Sequence, residues 1–239
     1  RDYDQYILKA ILCGFNPKVM NDWIIVKQRK GWEFSTMLRK VSINLFDVMP
    51  NPPVSLKTLE GFMGKNIHET YYPASITKIL TALVILKHCD LDETVTFTHS
   101  AVNTLEPGSS ILGARVNDQL SVRDCLYALL LQSANEVANA LAEHCSGSVE
   151  EFAVLMNQEA QALGCTDSNF ANPSGLNNPN HYTSAHDMAL ISQAAFENPT
   201  FAEIDATLYY DVPAGQLQQY PDGWRYYMHH RMENVENRF

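Results

Sequence analysis

The sequence contains no cluster of basic residues and no long apolar run. Of its 239 residues, 17 are Lys or Arg and 27 are Asp or Glu, which gives a formal net charge of −10 at pH 7. Nucleic acids and anionic membrane surfaces are bound by clustered basic side chains, so we expect neither as a partner. No stretch approaches the roughly 18 consecutive apolar residues of a membrane-spanning helix. The composition, 46% hydrophobic and 18% charged, is typical of a globular protein with a substantial core.

A signal peptide is also absent from the start of the chain. Residues 1–5 carry acids where a signal peptide has a basic segment followed by an apolar one. Because the chain begins with Arg rather than Met, this absence says nothing about the compartment in which the protein works.

Cys-x-x-Cys pairs are missing as well. The five cysteines are widely spaced, at Cys13, Cys89, Cys125, Cys145 and Cys165. This spacing argues against a zinc ribbon and against a thioredoxin-like redox motif. Since they are scattered along helical segments, the cysteines are predicted to be buried free thiols.

From Tyr72 onward the sequence has strong helical patterns. Capping boxes are predicted at Ser121 with Asp124 and at Ser148 with Glu151, and Ser184 with Asp187 is predicted to cap the last helix. The predicted helices cover residues 75–88, 121–131, 135–144, 148–163 and 184–196. Extended segments are predicted within residues 90–98 and over 207–212, and residues 166–182 read as a long irregular loop.

Ser75 and Lys78 lie three residues apart at the start of a predicted helix, where residues i and i+3 share a face. A serine becomes a nucleophile when a neighbouring base takes its proton. A lysine amine can be that base once burial lowers its pKa. A chain of this length contains Ser-x-x-Lys about once by chance, so the pair alone indicates no more than a capped helix with an exposed lysine.

A second short motif, Ser133-Ala134-Asn135, falls between two predicted helices. At such a hinge the Ser133 hydroxyl could relay a proton to a leaving amine. The Asn135 amide could hold both a substrate carbonyl and the lysine. Ser-x-x-Lys followed by such an element is part of the signature of penicillin-binding proteins and class A β-lactamases.

The surrounding sequence resembles one family, the D-alanyl-D-alanine carboxypeptidases, which are low-molecular-mass serine penicillin-binding proteins. The segment Tyr72–Leu83 resembles the family's nucleophile segment, and Leu126–Ala138 resembles its second motif, with Glu136 where Asp is commoner. Asn172–Leu176 and His181–Ala189 follow in family order. The resemblance covers roughly residues 64–212, which divides the chain into a poorly matched N-terminal region, 1–63, and a carboxypeptidase-like catalytic domain, 64–239.

The resemblance implies a serine-type carboxypeptidase that removes the terminal D-alanine from peptidoglycan stem peptides ending in D-Ala-D-Ala. In that scheme Ser75 forms an acyl-enzyme, Lys78 is the general base, Ser133 helps to protonate the departing D-alanine, and Asn135 holds substrate. β-Lactams would acylate Ser75 as covalent inhibitors, and no metal or organic cofactor is needed. The family works outside the cytoplasmic membrane, at its outer face or as secreted proteins.

The implied fold is α+β and β-lactamase/transpeptidase-like, with a helical subdomain packed on a five-stranded antiparallel sheet. The family's third motif, Lys-Thr-Gly on a strand beside the cleft, is not found after residue 232, and Pro50, Pro52 and Pro53 disfavour a strand upstream. We therefore expect mostly the helical subdomain, with an incomplete sheet. We also expect little activity from this chain, and we expect any membrane anchor to lie beyond residue 239.

The sequence leaves three further interpretations open. A serine β-lactamase would need a separate glutamate for deacylation, and none of Glu143, Glu150, Glu151 and Glu159 lies in a dedicated loop. An inactive penicillin-binding-like fragment would fit the missing third motif. A metal site at His181, His186 and Asp187 is disfavoured because no third ligand is evident beside the histidines and a helix cap accounts for Asp187.

Overall fold

The computed structural model describes residues 66–227, nearly all of which belong to the second of two compact units, His68–Phe239. The N-terminal region 1–63, with Cys13 and the three prolines that disfavour a strand, lies outside the described residues. The boundary expected at residue 63 therefore stays a prediction.

Seven helices and six short strands make up the described part. The helices are α1 Thr77–His88, α2 His99–Asn103, α3 Val122–Leu131, α4 Asn135–Ser146, α5 Val149–Ala162, α6 Ala185–Glu197 and α7 Pro199–Asp205. The strands are β1 Thr70–Tyr71, β2 Thr94–Thr96, β3 Gln119–Ser121, β4 Thr183–Ser184, β5 Tyr209–Val212 and β6 Trp224–Tyr227. A 3-10 turn, Ala74–Ile76, leads directly into α1.

Helix α1 lies at the centre of the core. It contacts α3, α4, α5 and α6, and its residues from Leu80 to Ile85 are at most 2% exposed, with Thr81 as the single polar member. Because neighbours surround it, α1 is apolar on more than one face, as expected for a buried helix. Its start, where the 3-10 turn meets it, is thereby fixed by the packing of the whole helical layer.

Local sequence signals explain several helix ends. Ser121 and Asp124 form the full predicted capping box at the start of α3, with both the side-chain and the return bond present. Gly147 and Gly164 follow α4 and α5 with φ of 88°, the left-handed conformation that glycine adopts without steric cost. The predicted helices are thus confirmed to within about two residues at each end.

The strands pair only two at a time. β1 pairs with β4, β2 with β3, and β5 with β6, all antiparallel. The prediction of an α+β, helix-rich structure with a sparse antiparallel sheet is confirmed for the described residues. Val95, in the middle of β2, and Phe97, which follows the strand, are fully buried.

Several details differ from the sequence-based expectation. Helices α2 and α7 were not predicted, although Asn198 caps α7 with Pro199 at its first turn. At α5 only half of the predicted box forms, since Ser148 accepts from the Glu151 N–H while the Glu151 side chain stays exposed. The four cysteines of the described residues are free thiols, as predicted; Cys125 is fully buried, whereas Cys89, Cys145 and Cys165 are only partly buried against the core.

None of the helices within residues 66–227 is long and apolar enough to cross a lipid bilayer.

Candidate functional site

The Ser75 side chain lies on the 3-10 turn that enters α1 and is exposed to solvent. Lys78, one turn later, is 2% exposed. The Lys78 Nζ is 3.2 Å from the Ser75 Oγ, so the predicted contact between residues i and i+3 is made. Ala74, just before the serine, has φ of 51°, a left-handed conformation that is unfavourable for a residue other than glycine and is common at functional sites.

Burial changes the acid–base character of Lys78. Its Nζ donates a hydrogen bond of 2.6 Å to the main-chain oxygen of Ser174. Desolvation lowers the pKa of Lys78 to about 8, against a smaller opposing effect of the Glu136 carboxylate. A substantial share of Lys78 is therefore neutral near physiological pH, with a lone pair available beside the Ser75 hydroxyl.

Ser133 lies in the tight link between α3 and α4 with φ of 56°. This conformation turns its side chain toward α1, and the Ser133 hydroxyl donates to the Ser75 Oγ over 2.9 Å. Ser75, Lys78 and Ser133 therefore form one hydrogen-bonded group around the Ser75 Oγ.

Asn135, the first residue of α4, is 4% exposed, and its Oδ1 has no hydrogen-bond partner within the described part of the chain. The hydrogen bonds of Lys78 go to Ser75 and Ser174, so the expected bond between Asn135 and the lysine is not formed in this state. A buried amide oxygen without a partner is unfavourable unless something fills the position.

The loop over residues 172–176 contacts the Lys78 amine through the Ser174 main-chain oxygen. The Asn172 Oδ1 accepts from the Ser174 N–H, the Ser174 hydroxyl and the Gly175 N–H, which shapes the loop. Gly175 has φ of 83°, and a Cβ there would lie 1.9 Å from the Ala74 oxygen. Only glycine lets this loop approach the nucleophile turn so closely.

His181 lies a few residues after this loop and also supports the site. Its Nδ1 accepts from the Ala171 N–H over 3.0 Å, which leaves the proton on Nε2 to donate to the Thr77 Oγ1 over 2.8 Å. Burial lowers the pKa of His181 to about 4, so the ring is neutral. From the sequence, His181 was considered only as a possible ligand of a disfavoured metal site.

The members of that metal pair lie in different surroundings. His186 contacts Asp187 over 3.0 Å and packs against the tilted ring of His68, whereas His181 faces Thr77. The Asp187 Oδ2 accepts from the Asp167 N–H and the Ser168 hydroxyl, so its carboxylate fixes the loop rather than capping α6. The cap of α6 is instead the Ser184 Oγ, which accepts from the Asp187 N–H.

The four glutamates considered for a β-lactamase are engaged elsewhere or face solvent. Glu143 accepts a short hydrogen bond from Thr98, Glu159 pairs with Lys87 over 2.6 Å, and Glu150 and Glu151 are exposed in the first turn of α5. None of the four makes a hydrogen bond to Ser75, Lys78 or Ser133 within residues 66–227. A groove of about 750 Å³ runs past Asn139 and Leu176 to Ser174, but Ser75, Lys78 and Ser133 are not among the residues that line it.

The chain is similar in sequence to known carboxypeptidases. The chain is 34% identical over 148 residues to the D-alanyl-D-alanine carboxypeptidase DacF of Bacillus subtilis, covering 60% of this chain and 38% of that protein. It is 40% identical over 131 residues to the D-alanyl-D-alanine carboxypeptidase DacA of Haemophilus influenzae, covering 53% of this chain and 33% of that protein. The chain thus spans little more than a third of the length of these curated relatives.

A solved structure shows the same fold. The D-alanyl-D-alanine carboxypeptidase of Mycobacterium tuberculosis superposes with a TM-score of 0.64 at 29% sequence identity, covering 71% of this chain and 62% of that one. The family model described as peptidase S11, D-alanyl-D-alanine carboxypeptidase, matches residues 57–219. Since this match covers more than half of the sequence, the chain belongs to the D-alanyl-D-alanine carboxypeptidase family.

Proposed function

We propose that the chain provides the acylation centre of a serine-type D-alanyl-D-alanine carboxypeptidase. The observation that carries this proposal is the contact of 3.2 Å between the exposed Ser75 hydroxyl and a buried amine whose pKa is lowered to about 8. A base with a pKa near the working pH is the most effective partner for a hydroxyl nucleophile. The substrates are peptidoglycan stem peptides that end in D-Ala-D-Ala.

In the first step the neutral Lys78 amine takes the Ser75 proton while the Oγ forms a bond to the carbonyl carbon of the penultimate D-alanine. The carbonyl oxygen becomes an oxyanion. The Ser75 N–H, in the 3-10 turn at the start of α1 where backbone amides lack intrahelical acceptors, would stabilise that charge. Lys78 becomes an ammonium, which the Ser174 oxygen accommodates over 2.6 Å.

In the second step the bond to the leaving amine breaks. The Ser133 hydroxyl, 2.9 Å from the Ser75 Oγ, passes a proton to the D-alanine nitrogen and recovers one from the Lys78 ammonium. D-Alanine leaves, and an ester links the shortened peptide to Ser75. Water then attacks this ester with Lys78 again as the base, which releases the peptide and restores the hydroxyl.

Asn135 is proposed to hold the substrate. Its buried Oδ1 lacks a partner in the described residues, so an amide N–H of the bound peptide would satisfy it. This assigns Asn135 to binding rather than to proton transfer. β-Lactams would acylate the same serine, because their ring amide presents a carbonyl carbon at the same position. Membership of the family supports a site of action outside the cytoplasmic membrane.

Fluorescent penicillin tests the proposal on the 239-residue chain. We expect covalent labelling of the wild type that is lost in Ser75→Ala and kept in Ser100→Ala, which removes an exposed hydroxyl on α2. A folded wild-type chain that takes no label would overturn the proposal. The lifetime of the label separates the two enzyme classes, since release within seconds would indicate a β-lactamase and persistence the carboxypeptidase.

A further inference from the structure

Three chain segments meet at the far end of α1, away from Ser75. Cys89 is the first residue after α1, Glu93 lies in the turn before β2, and His144 lies in the last turn of α4. The Cys89 thiol, one imidazole nitrogen of His144 and a carboxylate oxygen of Glu93 all lie within 4.8 Å of one another. The two polar side chains already touch, with 2.7 Å between the His144 Nε2 and the Glu93 Oε2.

A second thiol adjoins this cluster. Cys145 follows His144, and its thiol shares a hydrogen bond with the Cys89 thiol. Cys145 is therefore close enough to Cys89 to supply a further ligand to an ion bound there.

Nearby acids and access from solvent favour a cation at the cluster. The carboxylates of Asp90 and Glu93 both lie near the Cys89 thiol. His144 is partly exposed, with 22% of its side chain accessible, and Glu93 is 42% accessible, so an ion from solvent has a path to the cluster.

We propose that Cys89, Glu93 and His144 form a binding site for a divalent zinc ion, with the Cys145 thiol or a water molecule as the fourth ligand. A thiolate, an imidazole and a carboxylate are a ligand set that Zn²⁺ accepts and that Mg²⁺ and Ca²⁺ do not favour. Ligand atoms at about 2.0 to 2.3 Å from zinc stand about 3.5 Å apart. The ligand atoms already lie within 4.8 Å of one another, close to that spacing.

Ion binding would release protons. The Cys89 thiol loses its proton to become the thiolate ligand, and the His144 Nε2 gives up any proton it shares with Glu93. The carboxylate then turns from hydrogen-bond partner to ligand. No oxidation or reduction takes part, so the site needs only the ion.

The zinc site is separate from the acylation centre. Lys78 and Cys89 are 11 residues apart along α1 (89 − 78), which at 1.5 Å per residue is about 16 Å along its axis. Loss of the ion is therefore expected to leave Ser75 labelling unchanged, and the two proposals can fail independently.

Cobalt titration of the reduced full chain tests this inference, because Co²⁺ bound to a thiolate gives charge-transfer absorption in the near ultraviolet. We expect a saturable band at one ion per chain that Zn²⁺ displaces. Cys89→Ser should weaken the band, and the double variant Cys89→Ser, Cys145→Ser should abolish it. His144→Gln should weaken cobalt affinity at least about tenfold, the loss that follows even from removal of an outer-shell partner. Cys165→Ser, at a partly buried thiol outside the cluster, should keep the band.

A second cluster, His68, Asp167 and His186, could also take an ion but contains no sulfur, so His186→Gln should leave the band intact. Circular dichroism and fluorescent penicillin labelling show whether each variant is folded. Absence of the band in the folded wild type would overturn the inference, as would a band that survives unchanged when Cys89 and Cys145 are both replaced by Ser. Formation of a disulfide between Cys89 and Cys145 in air despite one equivalent of Zn²⁺ would also overturn it.

Discussion

Helix α1 carries a lysine near each end, and the two lysines differ in almost everything but residue type. Lys78 is 2% exposed and donates to a hydroxyl and to a main-chain oxygen. Lys87, nine residues later, has 48% of its side chain accessible and pairs with Glu159 over 2.6 Å. Burial without a carboxylate in hydrogen-bonding contact lowers the pKa of Lys78 to about 8. Sequence spacing alone does not separate these two environments.

The same contrast holds for the groups around each end. At the Ser75 end the ionisable groups are buried and their cationic forms are disfavoured, as for Lys78 and His181. At the Cys89 end the cluster is partly exposed, and the Glu93 and Asp90 carboxylates lie near its thiol. The surroundings of Ser75 favour the neutral, basic form of Lys78, and the surroundings of Cys89 favour the binding of a cation.

Replacement of each lysine by methionine would test this contrast most strongly. Lys78→Met should slow penicillin acylation by about 1,000-fold, within the range that a general base contributes. Lys87→Met removes an exposed ion pair worth at most about 1 kcal/mol and should change the acylation rate less than about twofold. Stopped-flow acylation rates measure both. Equal losses in the two folded variants would contradict a special role for burial at Lys78.

Replacement of His181, with His88 as the matched control, should have a smaller effect, on the pH dependence of stability. The pKa of His181 is about 4 in the folded chain, against about 6.5 in an unfolded one. Between these values the unfolded state binds the additional proton, so stability should fall as pH decreases from 6.5 to 4, by about 3 kcal/mol in total. Urea unfolding at several pH values measures the fall.

His181→Gln should flatten that dependence, because the variant has no ring to protonate. His88→Gln, at the exposed end of α1, should keep the wild-type profile. A His181→Gln profile as steep as that of the wild type would show that other groups cause the acid sensitivity.

Much of the helical framework could be predicted from local signals. The Ser121–Asp124 capping box and the glycines after α4 and α5 set helix ends within a few residues of chain. The missed helix α7 had such a signal in Asn198-Pro199, a cap followed by proline at the first turn. The missed α2 is only five residues long, too short to show a helical period.

The surroundings of the site could not be predicted in the same way. Ser174 contributes a main-chain oxygen, which every residue type possesses, so its side chain gives no signal. His181 reaches Thr77 across 104 residues of sequence, and no local pattern specifies that contact. The Cys89 cluster likewise combines residues from α1, a turn and α4, which is why cysteine spacing gave no indication of it.

The rate of penicillin acylation measured from pH 6 to pH 10 tests the central claim, that burial turns Lys78 into the base that activates Ser75. Only the neutral amine can take the serine proton, so the rate should rise with pH through a midpoint of about 8 and then level off. The Lys87→Met variant should give the same midpoint. A rate that is independent of pH over this range, or that rises only above pH 10 as for an exposed lysine, would contradict the account.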